Sequence, residues 1–148
     1  MSDEHKYNVN LSWKEGRLGT LRSPELNEEI EVATPPDFDG GVEGIWSPEH
    51  LFLSSVSSCF MTTFVAIAEY SKLSFEDLQV KATAELGKVD GKFEVTKIRL
   101  NPELMISDEK FADKARRIME KAEQACLITR SIKTEIIFEP TLTVGILQ

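Results

Sequence analysis

Cysteine and histidine are scarce in this 148-residue chain, so any thiol or imidazole chemistry rests on Cys59, Cys126, His5 and His50. Neither histidine stands at ligand spacing to a cysteine, which argues against a metal site of the zinc type. A Cys-His hydrolase is no better served. His50 lies nine residues before Cys59, about 900° of helical rotation, so it points to the opposite face. Positive charge is also short. The 17 Lys and Arg against 25 Asp and Glu give a formal net charge of −8, which argues against nucleic acid or an anionic membrane as partner. The opening residues MSDEHKYN are polar and acidic, unlike a signal peptide. A cytoplasmic protein is expected, with thiols that are reduced or redox-active rather than paired for structure.

Long linkers rich in Gly, Ser or Pro are missing too, and a single domain over residues 1–148 is expected. What remains, 41% hydrophobic and 28% charged residues, suits a soluble globular protein with a real core. One apolar run is long. Leu51 to Ala68 approaches the length of a membrane span, but six of its 18 residues are Ser or Thr, so a buried helix is expected instead. Ser47 supplies an N-cap and Pro48 fits the first turn, which places this central helix over Ser47–Leu73.

Before the helix, Tyr7, Val9, Leu11 and Trp13 alternate with polar residues, the pattern of a half-buried strand. Glu15-Gly16-Arg17 reads as a turn, with further strands over Leu18–Leu21 and Glu29–Ala33. Thr34 to Trp46, marked by Pro35-Pro36 and Gly40-Gly41, is a loop leading to the helix. After it, Leu78 to Leu86 alternate, Asp90-Gly91 signals a hairpin, and Phe93–Leu100 return. The apolar phase slips between Val95 and Ile98, which predicts a bulge. Ser107 is the expected cap of a second helix, whose Phe111, Ala115, Ile118, Met119 and Ala122 share a stripe. Ile132 to Phe138 form a last strand. The order βββ-α-ββ-α-β predicts an α+β fold of antiparallel sheet with one long central helix and a second helix.

Two readings of the cysteines fit the residues alone. Both could be small hydrophobes in a core, since free cysteine is among the most buried residue types. Both could be reactive, because each sits at a polar or interrupted place: Cys59 among Ser54, Ser55, Ser57, Ser58, Thr62 and Thr63, and Cys126 at a helix end before Thr129 and Arg130.

The segment Ser47-Pro48-Glu49-His50-Leu51, followed by Ser57-Ser58-Cys59-Phe60, resembles the (N/S)PE-x-L…CF motif of the OsmC/Ohr family of thiol peroxidases. The resemblance continues through Lys88-Val89-Asp90-Gly91 and through Lys121-Ala122-Glu123-Gln124-Ala125-Cys126 to Ile136. It implies an OsmC-like fold, an intertwined homodimer and reduction of organic hydroperoxides. Cys59 would be the peroxidatic thiol and Cys126 the resolving one. Gly16-Arg17-Leu18-Gly19 resembles the family's G-R-x-G turn, whose arginine holds the reactive thiolate, and Glu49 matches the carboxylate that holds that arginine. No bound cofactor is called for; the family's usual reductant is a dithiol of the lipoyl kind. An OsmC-like binding or redox-sensing protein without turnover is the alternative. The chain departs from the family at Leu127, where many members have Pro, and at the bulkier Gly44-Ile45-Trp46.

Thiol chemistry gives these residues their expected work. The thiolate is the nucleophile, and a free thiol near pKa 8.5 is mostly protonated at neutral pH. A guanidinium beside it favours the thiolate, so Arg17 is expected to lower the Cys59 pKa. Attack leaves a sulfenic acid, which Cys126 converts to a disulfide and an external dithiol reduces. Trp46, Phe52 and Phe60 are the expected apolar walls for an alkyl or lipid hydroperoxide. Glu49 and Cys59 are ten residues apart. In a straight helix that is about 15 Å of rise and about 1000° of rotation, 80° short of three turns. With no Gly or Pro between them to break the helix, Arg17 and Glu49 are expected to serve the Cys59 of a partner subunit.

Overall fold

The computed structural model describes residues 4–146, which divide into two compact units, one ending at Leu51 and one beginning at Phe52. In the first, Gly16 takes the left-handed φ of +50° that a tight turn requires. It folds β1 (Asn10–Glu15) back on β2 (Leu18–Arg22), and β3 (Ile30–Ala33) completes an antiparallel sheet in the order β1-β2-β3. The Trp13 indole N–H closes the turn by donating to Gly16 O at 2.9 Å. The first strand begins at Asn10 rather than Tyr7, and it is exposed along its whole length rather than half-buried. As an edge strand it is paired on one side only. Its apolar residues Leu11 and Trp13 stay 62% and 75% exposed.

The loop after β3 returns alongside it: Ala33 N donates to Trp46 O at 2.8 Å, and Val32 bridges Trp46 in parallel. Gly41 allows this path. A Cβ there would stand 2.1 Å from Pro35 O, so no other residue fits without moving backbone.

Helix α1 (Pro48–Tyr70) runs unbroken from the first unit into the second. Ser47 caps it as expected, its fully buried hydroxyl accepting from His50 N at 3.1 Å. The helix ends three residues before Leu73. Lys72 adopts φ +58°, and Leu73 N and Lys72 N donate to Ala68 O and Glu69 O, the paired bonds of a Schellman closure. Lysine rather than glycine occupies the left-handed position, so composition carries no stop signal there.

Val56, Phe60, Phe64 and Ala68 recur every four residues and form the buried stripe of α1. They join one continuous core with Ile98, Leu100, Leu104 and Ile106 of β5 and with Ala115, Ile118, Met119 and Ala122 of α2. By length and composition α1 could cross a membrane. Its inner stripe is instead occupied by this core.

The hairpin of β4 (Asp77–Val89) and β5 (Lys92–Ile106) is longer than its alternation suggested, and it turns through Asp90 and Gly91, both at positive φ. Glu85 pairs with Lys97 and Leu86 with Val95, which leaves Thr96 as the bulged residue within the expected interval. Strand β5 continues past Leu100, the end expected from the sequence, and through Pro102 to Ile106. Pro102 pairs with Val80 of β4 on one side. On the other side it falls between β6 (Glu135–Phe138), paired with Lys97–Leu100, and β7 (Thr141–Val144), paired with Glu103–Ile106. Proline fits where no ladder N–H is needed.

Three expectations are corrected in this unit. Both β6 and β7 run parallel to β5, so the second sheet is mixed rather than antiparallel. The strand β7 and the four-residue α3 (Leu127–Arg130) are additional elements. Asp108, not Ser107, provides the cap: its carboxylate accepts from Lys110 N at 3.0 Å at the start of a 3-10 turn, Glu109–Phe111, which leads into α2 (Ala112–Ala125).

Candidate active site

Cys126 occupies the joint between α2 and α3. Its extended backbone (φ −62°, ψ 116°) stops α2, and its carbonyl starts α3 by accepting from Arg130 N at 3.1 Å and from the Thr129 hydroxyl at 3.2 Å. The side chain is 1% exposed. Cys59 lies half-buried in mid-α1, one residue before the core residue Phe60. The joint sets the Cys126 thiol beside the Cys59 sulfur, and both thiols are free.

The donors around Cys59 explain its acidity. Burial pushes its pKa up. The N–H groups of Ile128 and Leu127, the Cys126 thiol and the Thr63 hydroxyl outweigh this and hold it below the ordinary thiol value. Cys126 shifts the other way. Burial raises its pKa, the Thr129 N–H and hydroxyl oppose that, and the neighbouring Cys59 adds to the rise. The two thiols are therefore shifted apart, Cys59 towards the anion and Cys126 towards the protonated form.

The sequence points to Arg17 as the group that lowers the Cys59 pKa and gives no hint of the Leu127 and Ile128 N–H groups. Peptide N–H groups have no residue signature, so Leu127 and Ile128 gave no sign. Thr63 did have one, its i+4 spacing from Cys59 on the same helix.

Arg17 and Glu49 belong to the first unit, where they form no salt bridge with each other among the described residues. Arg17 is exposed just after the Gly16 turn, and its side chain lies against Gly40, where an added Cβ would meet Arg17 Cγ at 3.0 Å. It also borders a cavity of about 250 Å³ whose walls include Leu11, Trp13, Leu18, Val32 and Pro48. Glu49 is half-buried in the first turn of α1, where the helix dipole favours a carboxylate.

Trp46 remains half exposed and meets the His50 ring edge-on at 6.2 Å between centroids. His50 Nδ1 is 2.6 Å from Ser47 Oγ, so this histidine is tied to the helix cap. Phe52 is partly buried against the second unit's core. Phe60 is fully buried, stacked on Phe64 and tilted against Phe138. It therefore backs α1 from the core side and offers no open wall to a substrate, because helical neighbours point about 100° apart.

Residues 40–141 match the family model described as OsmC-like protein. The uncharacterized protein YmaD of Bacillus subtilis is 30% identical over 152 residues, spanning 98% of this chain and 99% of that one. An OsmC-like protein of unknown function from Vibrio cholerae superposes with a TM-score of 0.84 at 25% identity, covering 93% of this chain and 99% of that one. An organic hydroperoxide resistance protein from Elizabethkingia anophelis has the same fold, with a TM-score of 0.78 at 22% identity over 98% and 100% of the two chains. With most of its length inside the family model and a full-length relative beside it, the chain belongs to the OsmC-like family.

Proposed function

We propose that this protein is a thiol peroxidase that reduces organic hydroperoxides, with Cys59 as the attacking sulfur and Cys126 as the resolving one. The observation that carries the reading is the placing of two free thiols side by side at the Cys126 joint, shifted in opposite directions. The Cys59 thiolate attacks the terminal oxygen of ROOH, the O–O bond breaks, and the alkoxide leaves to take up a proton as ROH. Cys59 is then a sulfenic acid, two electrons oxidised. Cys126 sulfur displaces its hydroxyl, which leaves as water with the Cys126 proton, and a disulfide forms. An external dithiol returns both thiols by exchange and becomes a disulfide itself.

A coupled assay with cumene hydroperoxide, hydrogen peroxide and a dithiol reductant tests the proposal. Wild-type protein should turn over the organic peroxide faster than hydrogen peroxide. The Cys126→Ser variant should consume about one equivalent of peroxide and accumulate a sulfenic acid that dimedone traps. Failure of wild-type protein to consume either peroxide would favour a binding or sensing role for the same pair.

We infer further that residues 1–148 act as one domain within a homodimer and that two chains build each site. The Leu11 and Trp13 face of β1 supports this, as do Met61 and Val65 of α1, which remain 42% and 36% exposed. Apolar surface of this kind is characteristic of association. The unbroken α1 between Glu49 and Cys59 supports a partner's Arg17 and Glu49 serving each Cys59. Mixing Cys59→Ser with Arg17→Ala subunits tests the sharing. In a shared arrangement one of two sites regains both residues, so a confirmed heterodimer recovers about half of wild-type activity. If each chain builds its own site, the heterodimer stays inactive.

A further inference from the structure

Helix α1 crowds hydroxyls around Cys59, and most of them return to the backbone. Ser55 donates to Phe52 O at 2.6 Å, Ser57 and Ser58 to Ser54 O at 3.3 and 2.6 Å, and Thr62 to Cys59 O at 3.2 Å. This back-bonding is the usual fate of Ser and Thr within a helix. Thr63 differs. It is half-buried one turn beyond Cys59, and its Oγ1 stands 4.0 Å from Cys59 Sγ, the outer reach of a hydrogen bond to sulfur.

Among the described residues, the other groups that act on the Cys59 sulfur come from the α2–α3 joint: the titratable Cys126 thiol and the N–H groups of Leu127 and Ile128. Those contacts depend on the joint keeping its place. Thr63 is carried by the same helix as Cys59, so its contact does not. A hydroxyl can also reverse its role, donating to a thiolate and accepting from the O–H of a sulfenic acid, whereas a peptide N–H only donates.

We propose that Thr63 is a positioning residue of the thiol site, its hydroxyl orienting the Cys59 sulfur from within α1 through both the thiolate and sulfenic acid states. The inference deepens the peroxidase reading, on which its role in turnover rests. The contact itself can be tested without any peroxide.

In a Cys126→Ala background, Cys59 is the only thiol, so thiolate absorbance against pH and the rate of iodoacetamide alkylation both report on it. Thr63→Val keeps the shape and removes the hydroxyl. A lost hydrogen bond to a charged group lowers the thiolate fraction at neutral pH by about tenfold. The less acidic thiolate is more nucleophilic, with a Brønsted slope of about 0.4–0.5, so alkylation slows by about threefold. Thr63→Ser, which restores the hydroxyl, should bring both readouts back towards wild type. Unchanged titration and alkylation in Thr63→Val overturn the proposal, as does an equal change in Thr63→Ser, which would assign the effect to packing. Should Thr63→Val fold poorly by circular dichroism, Thr63→Ala against Thr63→Ser gives the same comparison. A protein that shows the expected shift yet reduces no hydroperoxide keeps the Thr63 contact and loses the peroxidase assignment.

Discussion

Replacing Cys59 with serine should abolish hydroperoxide reduction, lowering turnover at least about 10³-fold, because an alcohol without a strong base beside it is a poor nucleophile. The substitution changes one atom at a half-buried position and should leave the melting curve within about 0.5 kcal/mol of wild type. Chemistry and folding are thus separated in one variant. The pH profile carries a second check. A thiol held below its ordinary pKa stays ionised to lower pH than a free one, so the fall in wild-type peroxide consumption should lie below an ordinary thiol's midpoint. It should decline only once pH drops below the lowered Cys59 midpoint. A rate that already falls with an ordinary thiol's midpoint would mean that the donors around Cys59 do not govern its reactivity. Residual turnover in Cys59→Ser near wild-type level would remove this sulfur from the mechanism altogether.

The largest expected loss of stability comes from Phe64→Ala. Phe64 is fully buried, stacked on Phe60 at 6.1 Å and edge-on to Phe75 at 5.4 Å between ring centroids. Truncation removes its apolar burial and leaves a cavity that a close-packed core refills only in part, at a cost of about 3–5 kcal/mol. For a chain of this size the melting temperature should fall by roughly 6–20 °C, measured at one fixed protein concentration. A fall of about 1 kcal/mol or less would show that Phe60 and Phe75 close over the gap and that this part of α1 is loosely packed.

What the sequence made legible was local. Ser47 and Pro48 marked the start of α1, Asp90-Gly91 the β4–β5 hairpin, and the phase slip after Val95 the bulge at Thr96. Each depends on neighbours along the chain. The parallel pairing of β6 and β7 with β5 is decided by contacts across the intervening α2, and a four-residue Thr-Leu-Thr-Val strand after Pro140 has too short a pattern to reveal it. The end of α1 was missed because Lys72 occupies a position that glycine usually marks.

The candidate site divides the same way. The cysteines were found from their type and surroundings. Their placing side by side depends on the break at Cys126, which creates α3 and sets the Leu127 and Ile128 N–H groups near Cys59. Leu127 is informative in retrospect. A proline there would have no N–H to give.

Pro102 also bears on how the second sheet assembles. The β4–β5 hairpin closes through a short turn and can form early, whereas β6 and β7 must find their places on β5 after α2 has been laid down. An uninterrupted β5 would offer a uniform row of amides along which a late strand could settle one step out of place, reversing which side chains face the core. Pro102 interrupts that row between the two docking stretches. A β6 that slid towards Glu103 would meet a ring where it needs a donor. The proline therefore acts as a register stop, favouring correct assembly by penalising the slipped sheet.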